Sequence, residues 1–85
     1  MLFLIKMRIA NKKSRTRKVF KIELYKVLSS GKSVFVEKLG YYDSNINARV
    51  LAIDTEKFGY WLNRGAKIKK SVFKLLRKFS AIRID

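Results

Sequence analysis

Apolar and polar positions alternate through the first half of the chain. In residues 2–9, Phe3, Ile5, Met7 and Ile9 share one side while Lys6 and Arg8 take the other. That period of two predicts a half-buried β-strand. Residues 19–28 alternate again, with Phe20, Ile22, Leu24 and Leu28 together. Residues 34–39 (Val-Phe-Val-Glu-Lys-Leu) are mixed on both faces, which suits a central strand covered on one side. Residues 49–53 form a short fourth strand. Ser29–Ser33 and Asp43–Asn47 carry turn residues, and Gly40 permits a bend or bulge just before Tyr41 and Tyr42.

The period changes after Asp54. Asp54 is a good N-cap and Glu56 adds negative charge to the first turn. Phe58, Trp61 and Leu62 follow at helical spacing, with Arg64 and Gly65 as the stop. Trp61 lies on this apolar stripe and is expected in the core. Ile68 stands alone in the connection. Val72, Leu75, Leu76 and Phe79 then mark a second amphipathic helix whose outer side carries Lys70, Lys74, Arg77 and Lys78. Neither helix is long enough to be stable alone, so both must pack on the sheet. The expectation is an α+β fold in one domain, residues 1–85. A small, mostly antiparallel four-stranded sheet (2–53) is followed by two short helices at about 54–65 and 69–79.

Charge sharpens this picture. The 85 residues hold 21 Lys+Arg against 6 Asp+Glu, a formal net charge of +15. A small body so charged repels itself and suits a polyanionic partner. Hydrophobic residues make up 48% of the chain, which is the composition of a folded domain and not of a disordered one. Five cations, Lys12, Lys13, Arg15, Arg17 and Lys18, crowd between the first two strands. Long cations on an exposed loop fit phosphate capture, with Ser14 and Thr16 as neutral donors. Lys6 and Arg8 lie beside it. Lys70, Lys74 and Arg77 form a weaker stripe, because exposed helix faces are usually charged. Tyr41 and Tyr42 are candidates for stacking on a base or hydrogen bonding to phosphate; adjacent strand residues point to opposite faces, so at most one of them need be core.

Cysteine and histidine are absent, which excludes disulfides, thiolate nucleophiles, imidazole bases and the usual zinc sites. Glu23 and Glu37 sit on neighbouring strands, where a pair facing each other would suggest a metal-dependent nuclease. Among so many cations they read more simply as ion-pair partners. Ser29–Ser33 ends like a phosphate-binding loop but lacks the first glycine and the following helix. The apolar start, Met1–Ile5, is broken by Lys6, too soon for a membrane span or a secretory signal. No enzyme activity, cofactor, metal, small-molecule substrate or membrane partner is expected.

The order of these residues resembles the small-subunit ribosomal protein sixteen family of bacterial and organellar ribosomes, from about Ile5 to Ile82. Three segments carry the likeness. They are Ile5-Lys-Met-Arg8 with the Lys/Arg loop; Phe35-Val-Glu-Lys-Leu-Gly-Tyr-Tyr-Asp43; and Ile53-Asp-Thr-Glu-Lys-Phe-Gly-Tyr-Trp-Leu-Asn-Arg-Gly-Ala66 with Val72, Leu75 and Leu76. The chain departs from the family in lacking proline: Arg17–Phe20 replaces a Pro-Phe-Tyr run, Ser44 stands where proline is usual, and none lies between the helices. The resemblance implies a structural protein that binds small-subunit rRNA, mainly its 5′ domain, beside neighbouring small-subunit proteins, and supports subunit assembly. The alternatives are a basic RNA- or DNA-binding architectural protein outside the ribosome and a cationic membrane-active protein. Lys outnumbers Arg, and Ile, Phe, Tyr and Asn are plentiful, which suits an AT-rich genome. The departures from the family pattern point to a divergent, organellar ribosome, mitochondrion ahead of plastid, with a bacterial cytoplasm as the other reading. With a strand starting at residue 2 or 3, no presequence is expected.

Overall fold

A sheet with one covered face organises the chain. The computed structural model describes residues 2–12, 18–44 and 49–79. Strands β1 (Leu2–Lys12), β2 (Lys18–Val27), β3 (Ser33–Asp43) and β4 (Val50–Ile53) are followed by helix α1 (Thr55–Asn63), strand β5 (Lys67–Ile68) and helix α2 (Lys70–Lys78). The sheet has five strands in the order β4-β3-β2-β1-β5. The first four pair antiparallel, and β5 runs parallel to β1 through Leu4↔Lys67 and Ile5↔Ile68.

The fold class therefore stands as α+β, but the four-stranded sheet expected from sequence is corrected to five. Ile68 is no mere linker residue. It packs against the core, and the Lys69 N–H donates to the Ile5 carbonyl at 2.9 Å. Two residues are too few to show a period of two, which is why the pattern concealed them. The strand also separates the helices, so the sheet does not end at residue 53.

The core lies between the inner sheet face and the helices. Ile5, Ile22, Leu24 and Leu39 meet Phe58, Ala66, Val72 and Leu76 there. Ile5, Ile22, Leu24 and Val72 are wholly excluded from solvent. Each such side chain contributes up to roughly 1.5–3 kcal/mol by leaving water. Trp61 is only partly buried: it packs on the core edge against Phe3, with ring centroids 5.0 Å apart.

Helix α1 begins as its sequence predicts. The Asp54 side chain accepts the Lys57 N–H at 3.1 Å, and the Asp54 N–H donates to the Leu39 carbonyl at 2.8 Å, fixing the helix to β3. Gly65 ends it at φ 87°, a conformation open to glycine at little cost. Helix α2 starts straight out of β5, and its N-cap Lys69 makes no side-chain capping bond.

Strand β3 is irregular. Its register with β2 shifts between the pairs Ile22↔Gly40 and Glu23↔Lys38, and again between Leu24↔Glu37 and Tyr25↔Phe35. Leu39 and Val36 are the extra residues, each a β-bulge. The bulge expected at Gly40 thus falls one residue earlier, within a continuous strand. Gly40 itself is required for another reason: a Cβ there would collide with the Ala52 carbonyl oxygen of β4. No helix among the described residues is long and apolar enough to cross a membrane.

Candidate nucleic-acid interface

The alternation that sends Ile5, Ile22 and Leu24 inward sends their neighbours to the opposite sheet face, on which none of the described helices packs. Register places Arg8, Lys21 and Tyr41 side by side on β1, β2 and β3, and Lys6, Glu23 and Lys38 in the adjoining row. Three neighbouring strands therefore present Lys6, Arg8, Lys21 and Lys38 on one face, with Glu23 between them and Asp43 in the row beyond Tyr41.

Glu23 is spent locally. Its carboxylate accepts from Arg8 Nε at 3.1 Å, from Arg8 Nη2 at 3.3 Å and from the Tyr25 hydroxyl at 2.7 Å. The carboxylate is almost fully buried, whereas the Arg8 side chain remains half exposed. Burial alone would raise the Glu23 pKa. The hydrogen bonds from Arg8 and Tyr25, with the charges of Arg8 and Lys21, outweigh it and hold the carboxyl below its ordinary range. The hydrogen bond to Glu23, reinforced by burial, raises the Tyr25 pKa. Donation to Glu23 is likewise the chief cause of a raised Arg8 pKa. Two of the five guanidinium N–H groups go to Glu23, so the carboxylate orients Arg8 without using its whole donor set.

Aromatic rings hold two of the lysines. Lys6 Nζ lies 4.2 Å from the Tyr25 ring centroid, and Lys38 Nζ lies 5.7 Å from that of Tyr41. Such contacts orient an ammonium while leaving its charge uncompensated. Tyr41 is itself exposed on this face, while Tyr42 is not. The Tyr42 ring stacks on Phe20 at 6.0 Å and meets the edge of Phe79 at 5.8 Å. It belongs to the core and offers no free ring face for a base.

Lys12 and Lys18, expected in an exposed loop, are instead the last residue of β1 and the first of β2, and Lys18 shares the phase of Phe20 and Ile22 rather than that of Lys21. Lys12 and Lys18 pair at the end of the β1–β2 ladder. Ser44 ties the start of β2: its hydroxyl accepts the Lys18 N–H at 2.9 Å and donates to the Lys18 carbonyl at 3.0 Å. The Ser44 N–H donates to that carbonyl too, a bond that a proline here would forfeit. Lys13, Ser14, Arg15, Thr16 and Arg17 lie outside the described residues. Lys70, Lys74 and Arg77 are exposed as expected, but on the helix layer, across the sheet from Lys6 and Arg8. The Arg77 guanidinium sits 6.0 Å from the ring of Phe73, which is also exposed.

Glu23 and Glu37 do not face each other. Glu37 lies on the helix side, accepting from Trp61 Nε1 at 2.6 Å and pairing with Lys57 Nζ at 3.4 Å. Each acid is an ion-pair partner, in line with the sequence reading. The sequence reading missed Lys21, Lys38 and the supporting Tyr25. The phase of β2 against Ile22 and Leu24 marks Lys21 and Tyr25, but the denser charge run nearby is the louder signal.

Sequence comparison with known proteins identifies a family. Residues 12–68 match the family model described as ribosomal protein S16. The small ribosomal subunit protein bS16 of Aliarcobacter butzleri is 41% identical over 46 residues, which cover 54% of this chain and 61% of that protein. The bS16 of Buchnera aphidicola subsp. Cinara cedri is 28% identical over 81 residues, 93% of this chain and 92% of its own. That of Orientia tsutsugamushi is 28% identical over 79 residues, covering 89% and 73%. With two thirds of its length inside the family model, the chain belongs to the ribosomal protein S16 family.

Proposed function

We propose that the chain is a structural constituent of the small ribosomal subunit that binds small-subunit rRNA, mainly the 5′ domain, through its open sheet face and so supports subunit assembly. The family is structural and not enzymatic. The observation that carries the reading is the cluster of Lys6, Arg8, Lys21 and Lys38 on one uncovered face, with Tyr41 exposed beside them.

The mechanism is counter-ion replacement. Cations fixed on adjacent strands displace condensed ions from the RNA backbone and allow RNA segments to approach one another. Lys12, Lys13, Arg15, Arg17 and Lys18 extend the contact, with Ser14 and Thr16 as neutral donors. Lys70, Lys74 and Arg77 supply a second set from the helix side. Tyr41 stacks on an unpaired base, a contact worth roughly 1–3 kcal/mol. Recognition is by shape, phosphate and 2′-OH rather than by a base code. The missing family prolines support a divergent, organellar ribosome, mitochondrion ahead of plastid, although the relatives named above are bacterial; fractionation of the source cells decides this.

Binding measured across a salt series tests the proposal. Contact with about eight phosphates gives log K against log[salt] a slope of roughly −6 to −7. Replacing Lys12, Lys13, Arg15 and Arg17 by Ala weakens binding and shallows the slope, with the thermal transition nearly unmoved. Equal affinity for small-subunit rRNA and random RNA of the same length would overturn the reading. Equal affinity for duplex DNA, with the protein absent from ribosomal particles, would favour the architectural alternative.

A further inference from the structure

The open sheet face is not basic throughout. Toward the β2–β3 turn, the rows Leu2–Val27–Ser33 and Leu4–Tyr25–Phe35 replace the cations. Phe35 is 52% exposed and Leu2 40% exposed, and the Phe35 ring meets Tyr25 edge-on at 6.0 Å. Leu2, Leu4, Tyr25, Val27 and Phe35 thus form an apolar end, abutting the basic end at Lys6. Phosphate and ribose gain little from such a surface, whereas a protein's apolar side chains bury it favourably.

We infer that this apolar end docks a second protein, through a segment of apolar residues flanked by Asp or Glu. The rim chooses the partner's charge. Lys67 pairs with Leu4 at one end of the apolar row, Lys6 borders its side, and Lys32 sits in the turn beyond Ser33. Glu23, the acid nearest this end of the face, is already held by Arg8 and Tyr25, and Asp43 lies at the opposite end beyond Tyr41. An apolar strip inside a basic rim fits an acidic rim across the interface. A second copy of the chain is the wrong occupant, since each carries a net charge of +15. The open face is thereby divided between two partners of different chemistry, RNA at the Arg8 end and protein at the Phe35 end. The protein half stands without the RNA half.

Site-specific photo-crosslinking in assembled particles tests this, with p-benzoylphenylalanine at position 35 in one sample and at position 21 in another. The expected result is that the position-35 probe joins a protein whose contact peptide, mapped by mass spectrometry, is apolar with acidic flanks. In addition, Phe35→Ser lowers the occupancy of that protein in the particle at least fivefold, leaving affinity for protein-free rRNA within twofold. Attachment of the position-35 probe to RNA, to a second copy or to a basic peptide would overturn the proposal, as would no adduct at all. The position-21 probe reports on the RNA reading separately: if it finds no RNA while the position-35 probe finds its peptide, that reading alone fails.

Discussion

The two faces of the sheet use charge in opposite ways. On the inner face, Glu37 joins Lys57 and the Trp61 indole, binding α1 to β3. On the outer face, Glu23 gathers Arg8 and Tyr25, holding a guanidinium that remains half exposed. One acid fastens a helix and the other aims a cation outward. The lesson is that inner-face changes act on stability, while outer-face changes act on binding once the buried carboxylate is left intact.

The largest effect should come from the inner face. Leu24→Ala removes a wholly buried side chain and is expected to cost about 2–5 kcal/mol in chemical denaturation. Gly40→Ala forces β3 and β4 apart at Ala52 and should cost about 1–3 kcal/mol by the same measurement. Glu23→Gln keeps the shape but weakens charged hydrogen bonds, for an expected loss of about 1–2 kcal/mol. It also removes a negative charge from the face proposed to bind rRNA, so on that reading rRNA affinity should rise as stability falls. The pH dependence has a definite sign. The folded-state pKa of Glu23 is depressed, so its stabilisation is present above the ordinary carboxylate range and is lost as pH falls through the folded value. Thermal melts of Glu23→Gln should therefore show a flatter acid limb than the parent. The smallest stability effect belongs to Lys21→Ala with Lys38→Ala, within about 0.5 kcal/mol. That pair should still shallow the salt slope by about 0.7–0.9 for each phosphate the protein no longer neutralises. A double variant that melted far below the parent would erase the distinction between the faces.

Strands β1 and β2 were legible because a period of two runs through them without interruption to one side of Ile9. Helix α1 was legible because Asp54 and Gly65 are local signals. Strand β3 was harder for a physical reason. Counting by twos from buried Leu39 puts Tyr41 inside and Tyr42 outside, yet Tyr41 is exposed and Tyr42 buried. The bulge at Leu39 reverses the parity, and the one at Val36 reverses it again toward Phe35. A bulge leaves no mark in a hydrophobic pattern, so the sides taken by Glu37, Phe35 and the tyrosine pair needed coordinates. The same limit hid the division of the open face into basic and apolar ends, which depends on register across three strands.

Those bulges have a further consequence for the chain before it meets its partners. Strand β4 pairs only with Gly40–Asp43, so from Ser33 to Leu39 the far edge of β3 has no strand beside it among the described residues. Val34, Phe35 and Val36 are all exposed there, a β-prone run of the kind that templates edge-to-edge association. Extra residues at Val36 and Leu39 break the regular spacing of donors and acceptors that an incoming strand would need. The irregularity that obscured β3 in the sequence therefore serves the newly made chain as protection against aggregation.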